Sequence, residues 1–202
     1  MKFSTINAFS QTSMVKAIAK VYQLSFGGEP WNEGYMCPIC SKGFPRTLDK
    51  KVCDVCVENS REILLIDYWS MNKIITDFYR EMSKPDAKCV VVQNVDLVVG
   101  FAWGYRITMN PEIDKHLDAP NVHTRLNHDD YFYLDECALL PSNQAKGIGK
   151  LLVSYIFQQQ TQKQVVLRTK NNSRMCSIIK QMGGRVIQHI SNDRVIMTLQ
   201  TF

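Results

Sequence analysis

Apolar residues recur along this chain with two different periods, and the switches between them lay out its elements. Val15, Ile18, Tyr22 and Phe26 fall on one face of a 3.6-residue repeat, with Thr12 or Ser13 placed to cap it and Gly27-Gly28 to stop it, which predicts a helix. Tyr68, Met71, Ile75, Phe78 and Met82 form a second helical stripe from about Tyr68 to Met82, closed by Lys84-Pro85-Asp86. Lys2 to Ile6 reads as a short edge strand. Lys88 to Gln93 and Leu97 to Ile107 read as two strands joined by the turn Asn94-Val95-Asp96, an antiparallel hairpin whose second strand is thinned by Gly100 and Gly104. From Tyr131 to Gln162 the string YFYLDECALL, PSNQAKGIG, KLLVSYIFQQQTQ reads as strand, tight loop and helix. Val165 to Thr169 comes next as a short buried strand. Asn171-Asn172-Ser173 then caps a helix through Met182, Gly183-Gly184 ends it, and Arg185 to His189 with Arg194 to Leu199 close the chain as a hairpin around Ser191-Asn192-Asp193.

Two stretches fit neither period. Between Thr108 and Asp130 lies a long loop with one helical turn near Ile113 to Leu117; it holds His116, His123 and His128, which read as solvated loop residues. The other stretch, residues 32 to 59, collects cysteine, glycine and proline. Within it Cys37-Pro38-Ile39-Cys40 and Cys53-Asp54-Val55-Cys56 are two C-x-x-C knuckles separated by twelve residues, a spacing that lets four thiolates converge on one ion. Zinc is the expected metal, iron in a rubredoxin-like site being the main competitor. Paired disulfides and a redox C-x-x-C fit less well, the first for want of a signal peptide and the second because two copies would be redundant. Four cysteines leave no open position, so the site reads as structural, an inserted knuckle subdomain folded by its metal.

Composition narrows the class. With 202 residues and 45% apolar content the chain can bury one sizeable core, so residues 1–202 read as a single α/β domain carrying the insert. The polar start has no secretory core and no run nears the roughly 18 apolar residues of a membrane span, so a cytoplasmic protein with no membrane partner is expected. The net charge of +5 comes from scattered residues, which permits nucleic-acid binding without indicating it. Cys89, Cys137 and Cys176 sit in apolar runs and read as buried free thiols.

The chemistry concentrates in the loop after the Tyr131 strand. Gly147 and Gly149 remove the Cβ atoms that would keep a ligand from the backbone, and the helix that starts there has unpaired N–H groups suited to a pyrophosphate. Gln144-Ala145-Lys146-Gly147-Ile148-Gly149, between Leu139-Leu140-Pro141 and Lys150-Leu151-Leu152, resembles motif A of the GNAT (GCN5-related N-acetyltransferase) superfamily, (Arg/Gln)-x-x-Gly-x-(Gly/Ala). FGGEPW, VVGFAWGY, YLDECALLP and Asn172 eleven residues before Gly183 resemble further superfamily signatures. The resemblance implies a mixed, mostly antiparallel sheet with helices on both faces. It implies acetyl-CoA as cosubstrate, its pyrophosphate held by backbone N–H groups from Gln144 through Ala145, Lys146, Gly147, Ile148 and Gly149 to Lys150, its pantetheine paired with main chain at Leu139 and Leu140, and Asn172 completing the set.

An amine acceptor must lose a proton before it attacks a thioester, because an alkylamine of pKa near 10.4 is protonated at neutral pH. Asp135 and Glu136, on the strand just before the pantetheine position, are the candidate bases. Neighbours on a strand point to opposite faces, so one of them should face the acceptor unless a bulge changes the parity; Glu136 ranks slightly ahead. A backbone N–H at Leu139 or Leu140 would stabilise the oxyanion. Many GNAT members place a tyrosine on the last helix to protonate the leaving thiolate; the matching position here is Ile179, with Tyr133 or Tyr155 as less apt substitutes. The function expected is transfer of acetyl from acetyl-CoA to a primary amine on a small molecule or protein. The competing readings are a non-catalytic acyl-CoA-binding module and an adaptor that uses the insert, with Lys42, Arg46, Lys50 and Lys51, to touch nucleic acid or protein.

Overall fold

A computed structural model describes residues 1–6, 12–58, 61–191 and 193–200. The elements of the main domain are β1 (Lys2–Ile6), α1 (Thr12–Phe26), then, past the insert, α2 (Met71–Met82), with the insert supplying β2 (Tyr35–Met36), β3 (Gly43–Phe44), β4 (Val52–Glu58), β5 (Arg61–Leu64) and β6 (Ile66–Asp67). After α2 come β7 (Lys88–Asn94), β8 (Leu97–Thr108), α3 (Glu112–Leu117), β9 (Asp130–Leu139), α4 (Ile148–Gln158), β10 (Gln164–Lys170), α5 (Arg174–Gln181), β11 (Arg185–His189) and β12 (Arg194–Gln200). The fold is mixed α/β. Its seven-stranded sheet runs β1-β7-β8-β9-β10-β12-β11, and every pairing is antiparallel except β9 with β10.

The two helical stripes of the sequence lie on one face of this sheet. Val15, Ile18, Tyr22 and Phe26 of α1 pack with Ile74, Phe78 and Met82 of α2 onto Val91, Phe101 and Trp103. The second stripe is shifted from the expected one, because α2 begins at Met71 behind the Ser70 cap, whose hydroxyl accepts the Lys73 N–H at 3.3 Å. Ile74 therefore faces the core most fully, with Ile75 and Met71 half-buried beside it. The opposite face carries α4 and α5 through Leu152, Val153, Ile156 and Ile179. Burial of these two apolar layers, at about 25 cal/mol per Å², is the main force holding the helices to the sheet.

Two irregularities interrupt the sheet. In the β8–β9 pairing Trp103 opposes Glu136 and Gly104 opposes Leu134, which leaves Asp135 as an extra bulged residue on β9. Gly104 is required beside this bulge, since a Cβ there would lie 2.3 Å from the Tyr133 carbonyl oxygen and 2.6 Å from the Phe132 ring. The parallel β9–β10 pairing is confined to Phe132 with Val165 and Tyr133 with Val166, after which the strands part while β9 continues to Leu139 and β10 to Lys170. The sheet thus opens into a fork.

The long 108–130 loop is more ordered than its sequence suggests. It folds over Tyr105, Ile107, Tyr131 and Tyr133 through Ile113, Leu117 and Val122. His123 is locked to Asp114, whose Oδ1 lies 2.9 Å from Nδ1 and also accepts the His123 N–H. His116 is likewise partnered, its Nε2 lying 2.9 Å from the Tyr105 hydroxyl. Asn192, in the expected final turn, lies outside the described residues, as do residues 59 and 60 at the end of the expected insert.

Candidate functional site

A cleft of ≈530 Å³ opens where β9 and β10 part. Its walls are the end of α1 and the loop after it (Ser25, Phe26, Pro30, Trp31), the end of β9 (Cys137, Ala138, Leu139), the glycine loop (Gln144, Ala145, Gly147, Gly149, Lys150) and the exposed side of α5 (Arg174, Ser177, Ile178, Gln181).

The glycine loop owes its shape to two left-handed residues, Ala145 at φ 60° and Gly147 at φ 77°. Such turns point successive N–H groups into one concavity. Gly147 occupies the N-cap position of α4 and has no side chain to satisfy the first turn, so among the described residues no side chain caps the N–H groups of Ile148, Gly149 and Lys150. The positive end of the helix adds to the attraction for an anion. Gln144 spans the fork: its Nε2 donates to the Leu139 carbonyl at 3.0 Å, an acceptor shared with the Ser25 hydroxyl at 2.8 Å, and this ties the loop to the strand end. Leu140 donates its N–H to the Val99 carbonyl at 2.8 Å. Alternation along the strand turns the Leu139 N–H the other way, into the fork.

Most of the expected cofactor set therefore borders one space. Leu139, Gln144, Ala145, Gly147, Gly149 and Lys150 line the cleft, whereas the Lys146 and Leu140 side chains lie off its wall and the Ile148 side chain is buried in the core. Asn172 is exposed and outside the lining; the cap of α5 is Ser173, whose hydroxyl accepts the Cys176 N–H at 3.1 Å. Ile179 is fully buried against the sheet, whereas Ile178 lies on the side of α5 that, with Arg174, Ser177 and Gln181, faces the cleft. Tyr155, half-buried on α4, stacks on Phe3, Tyr133 is buried, and neither lines the cleft. The residues that reading the sequence missed are Ser25, Arg174, Ser177, Ile178 and Gln181. Only the FGGEPW string, which holds Phe26, Pro30 and Trp31, marked that wall beforehand.

The bulge settles the strand parity of the two carboxylates. Both turn to the α1/α2 face: Asp135 Oδ2 accepts the Trp103 indole N–H at 3.0 Å, and Glu136 Oε1 accepts the Tyr22 hydroxyl at 2.8 Å. Tyr22 stacks with Trp103, ring centroids 6.0 Å apart, and sits one helical turn before the cleft residues Ser25 and Phe26. Burial, then the charge of Glu81, pushes Asp135 up to about 6. Burial and the neighbouring Asp135 push Glu136 well above the ordinary carboxylate range. The Asp135 charge thus disfavours ionisation of its neighbour Glu136, and both side chains are half-buried. Arg168 of β10 and Lys84 supply the opposing positive charge.

The four insert cysteines form a second site. Their Sγ atoms all lie within 4.8 Å of one another, and Cys40 and Cys53, from different knuckles, are 3.8 Å apart. A tetrahedron of sulfurs about 2.3 Å from a zinc ion has edges of about 3.8 Å, so the cluster fits such an ion. None of the seven cysteines is joined in a disulfide. Backbone N–H groups of Ile39, Val55 and Cys56 point at the sulfurs of Cys37 and Cys53 at 3.3–3.4 Å, the partners a thiolate requires. The small core around the site is Tyr35, Cys37, Phe44, Cys53 and Leu65, with Ile63 of β5 packed against it, and β2 is paired to the exposed strand β6 at Asp67.

No protein-family model and no curated protein sequence matches the chain. Solved structures do. The PaiA N-acetyltransferase of Thermoplasma acidophilum, in complex with coenzyme A, superposes with a TM-score of 0.56 at 14% identity, over 99% of each chain. A GNAT-family acetyltransferase of Bacillus cereus gives 0.55 at 10% identity, over 100% of this chain and 99% of that one. YncA of Salmonella typhimurium, a putative acetyltransferase with its cofactor acetyl-CoA, gives 0.53 at 13% identity, over 99% and 94%. The chain has the GNAT acetyltransferase fold, with a four-cysteine cluster inserted after the first helix.

Proposed function

We propose that the protein is an N-acetyltransferase that moves an acetyl group from acetyl-CoA to a primary amine. The observation that carries this reading is the uncapped N-terminus of α4, open to a cleft of ≈530 Å³ beside a strand whose edge has lost its neighbour. The loop N–H groups hold the diphosphate. The free edge of β9 pairs with the extended amide chain of the pantetheine, and the thioester then lies beside Cys137 and Ala138. Coenzyme A or acetyl-CoA in two of the similar structures supports this donor.

The Asp135–Glu136 pair serves as base. Asp135 carries its single charge, because the indole N–H of Trp103, Lys84 and Arg168 all favour the anion, while Glu136 is the protonated partner held by Tyr22. Asp135 takes the proton of the acceptor ammonium, the freed amine attacks the thioester carbonyl, and the Leu139 N–H stabilises the resulting oxyanion. With Ile178 and Ile179 on α5, that helix offers no acid at these positions. The thiol leaves without one, helped by its own pKa near 8.5.

Cys37, Cys40, Cys53 and Cys56 hold a structural zinc ion that folds the insert. Glu33, at the start of the insert, and Trp69, just after it, are joined by a 2.8 Å hydrogen bond, and Tyr22 feels the Glu33 charge. The insert is thereby fixed to the acceptor side of the site. The test is release of free CoA from acetyl-CoA over a panel of primary amines. Turnover that disappears in Asp135→Asn with acetyl-CoA binding intact supports the reading; CoA binding with no turnover for any amine makes the protein a binding module instead.

A further inference from the structure

The four insert sulfurs are alike as metal ligands and unlike as nucleophiles. Cys37 and Cys53 are buried, at 0% and 6% exposure, and their sulfurs accept the backbone N–H groups of Ile39, Val55 and Cys56 at 3.3–3.4 Å. Such bonds draw charge from a thiolate and blunt its attack on an electrophile. Among the described residues no backbone N–H meets the sulfur of Cys40 or Cys56 in this way, and of these two only Cys40 is exposed. Cys40 also has a second thiol from the other knuckle within reach, Cys53 Sγ at 3.8 Å. The insert that carries these sulfurs is built into the wall of the site. Arg46, between the knuckles, donates its N–H to the Gly27 carbonyl at 2.6 Å, just past α1, and packs so closely on Gly34 that a Cβ there would lie 2.3 Å from the same nitrogen. Glu33 donates its N–H to the Phe26 carbonyl at 2.9 Å, and its carboxylate holds the Trp69 indole at 2.8 Å. The Trp69 ring meets Tyr22 edge-on, centroids 5.4 Å apart, and Tyr22 is bonded to Glu136. Hydrogen bonds and ring contacts thus run unbroken from the knuckles to the acceptor side of the site.

We propose that Cys40 is the site at which a hydroperoxide oxidises the metal-loaded insert, that Cys53 closes on it, and that loss of the ion loosens the acceptor side of the site. The inference rests on the zinc reading of the four cysteines, and its effect on turnover rests on the acetyltransferase reading. In the first step the Cys40 thiolate attacks a peroxide oxygen: an S–O bond forms, the O–O bond breaks and hydroxide leaves. The Cys53 thiolate then attacks the Cys40 sulfur: an S–S bond forms, the S–O bond breaks and a second hydroxide leaves. The two thiolates give up two electrons between them and the peroxide takes both. Of the four ligands only Cys37 and Cys56 then remain as thiolates, too few to hold the ion. The apolar core left to the insert, Tyr35, Phe44 and Leu65, is too small to keep it folded without its metal. Arg46 and Glu33 therefore lose their fixed positions, and Trp69 and Tyr22 lose their backing. The diphosphate loop at residues 145–150 lies outside this chain of contacts.

The test exposes the zinc-loaded full chain to hydrogen peroxide and follows zinc release with a chromogenic chelator, beside peptide mapping by mass spectrometry. About one zinc ion is expected to leave per peroxide consumed, with Cys40 and Cys53 recovered in one disulfide. Amide hydrogen exchange in residues 27–34 should speed up, and kcat/KM for butylamine should fall about ten- to hundredfold while acetyl-CoA still binds. Dithiothreitol with added zinc should restore both. Cys40→His keeps four ligands without the exposed sulfur and should hold its zinc through the same exposure. Cys56→His, which alters the other sulfur that lacks an N–H partner, should release zinc as the wild type does; this variant and the wild-type disulfide map decide the matter if Cys40→His fails to fold. A disulfide within one knuckle, equal zinc loss from Cys40→His, or zinc release that leaves exchange in residues 27–34 unaltered overturns the inference. A protein that binds no zinc takes the structural-metal reading down with it. If the protein holds zinc but turns over no amine, the acetyltransferase reading falls, and the disulfide map and the exchange rates still decide for or against oxidation at Cys40.

Discussion

Replacing Trp103 with Phe should shift the acid limb of the kcat profile without removing any group that takes part in the chemistry. The indole N–H of Trp103 reaches Asp135 Oδ2 at 3.0 Å and is the largest of the interactions that pull Asp135 back down against burial and Glu81. A hydrogen bond to a charged group is worth about 1.5–3 kcal/mol, or roughly one to two pKa units. Asp135, held at about 6 in the native protein, would then rise to roughly 7–8, and the ionised fraction at pH 7 would fall from about nine-tenths to between a half and a tenth. The expected outcome is a kcat roughly two- to tenfold lower at pH 7 that converges on the wild-type value above about pH 9. Trp103 is 2% exposed amid Tyr22, Phe78 and Phe101, so the smaller ring also destabilises the fold by about 1–3 kcal/mol, and rates must be compared well below the melting temperature. CoA release at saturating substrates across pH 5–10 is the assay. An unmoved acid limb, or a uniform loss at every pH, would refute the assignment of that limb to Asp135.

Folding raises the Asp135 pKa from 3.8 to about 6, so the native state holds its proton more tightly than the unfolded chain; the associated stability is complete below about pH 4 and is lost as the pH climbs through 6. Asp135→Asn should therefore raise the melting temperature at pH 8, by up to about 3 kcal/mol of stability, and change it little at pH 3.5; equal shifts at both pH values would count against the raised pKa. Gly147→Ala places a Cβ where no protein atom lies within 4 Å, so within the protein its cost is conformational, about 1–2 kcal/mol at φ 77°; a free loop that relaxes out of this strain must take it up again on binding, and calorimetry should show acetyl-CoA bound some five- to thirtyfold more weakly. Metal analysis should find one zinc per chain, and chelation should speed hydrogen exchange in residues 35–67 while residues 145–150 keep their acetyl-CoA protection; exchange unaltered by chelation would deny the metal a structural role.

The alternation of periods made the order of strands and helices readable, because the burial that fixes each element also fixes its apolar spacing. The glycine loop was readable for a different reason: φ 77° at Gly147 asks for a residue type, and residue type is what a sequence records. The α5 wall of the cleft was not. Which of Ile178 and Ile179 faces the cleft depends on how that helix rotates against α4 and the sheet, and no spacing within the helix reveals it. The bulge at Asp135 was anticipated only as a source of ambiguity; its location is set by Gly104 beneath the Phe132 ring, a contact between strands. The partners of His116 and His123, Tyr105 and Asp114, are likewise set by how the long loop folds back, and its irregular composition hides that.

Everything proposed for the donor depends on the loop N–H groups at the start of α4 meeting a diphosphate. Titration of ¹⁵N-labelled protein with acetyl-CoA tests this at single-residue resolution. Saturable shifts are expected at the amides of Gly147, Gly149, Lys150 and Leu139, with those of the cysteine insert unmoved. Shifts centred on another surface, or none at millimolar ligand, would contradict it.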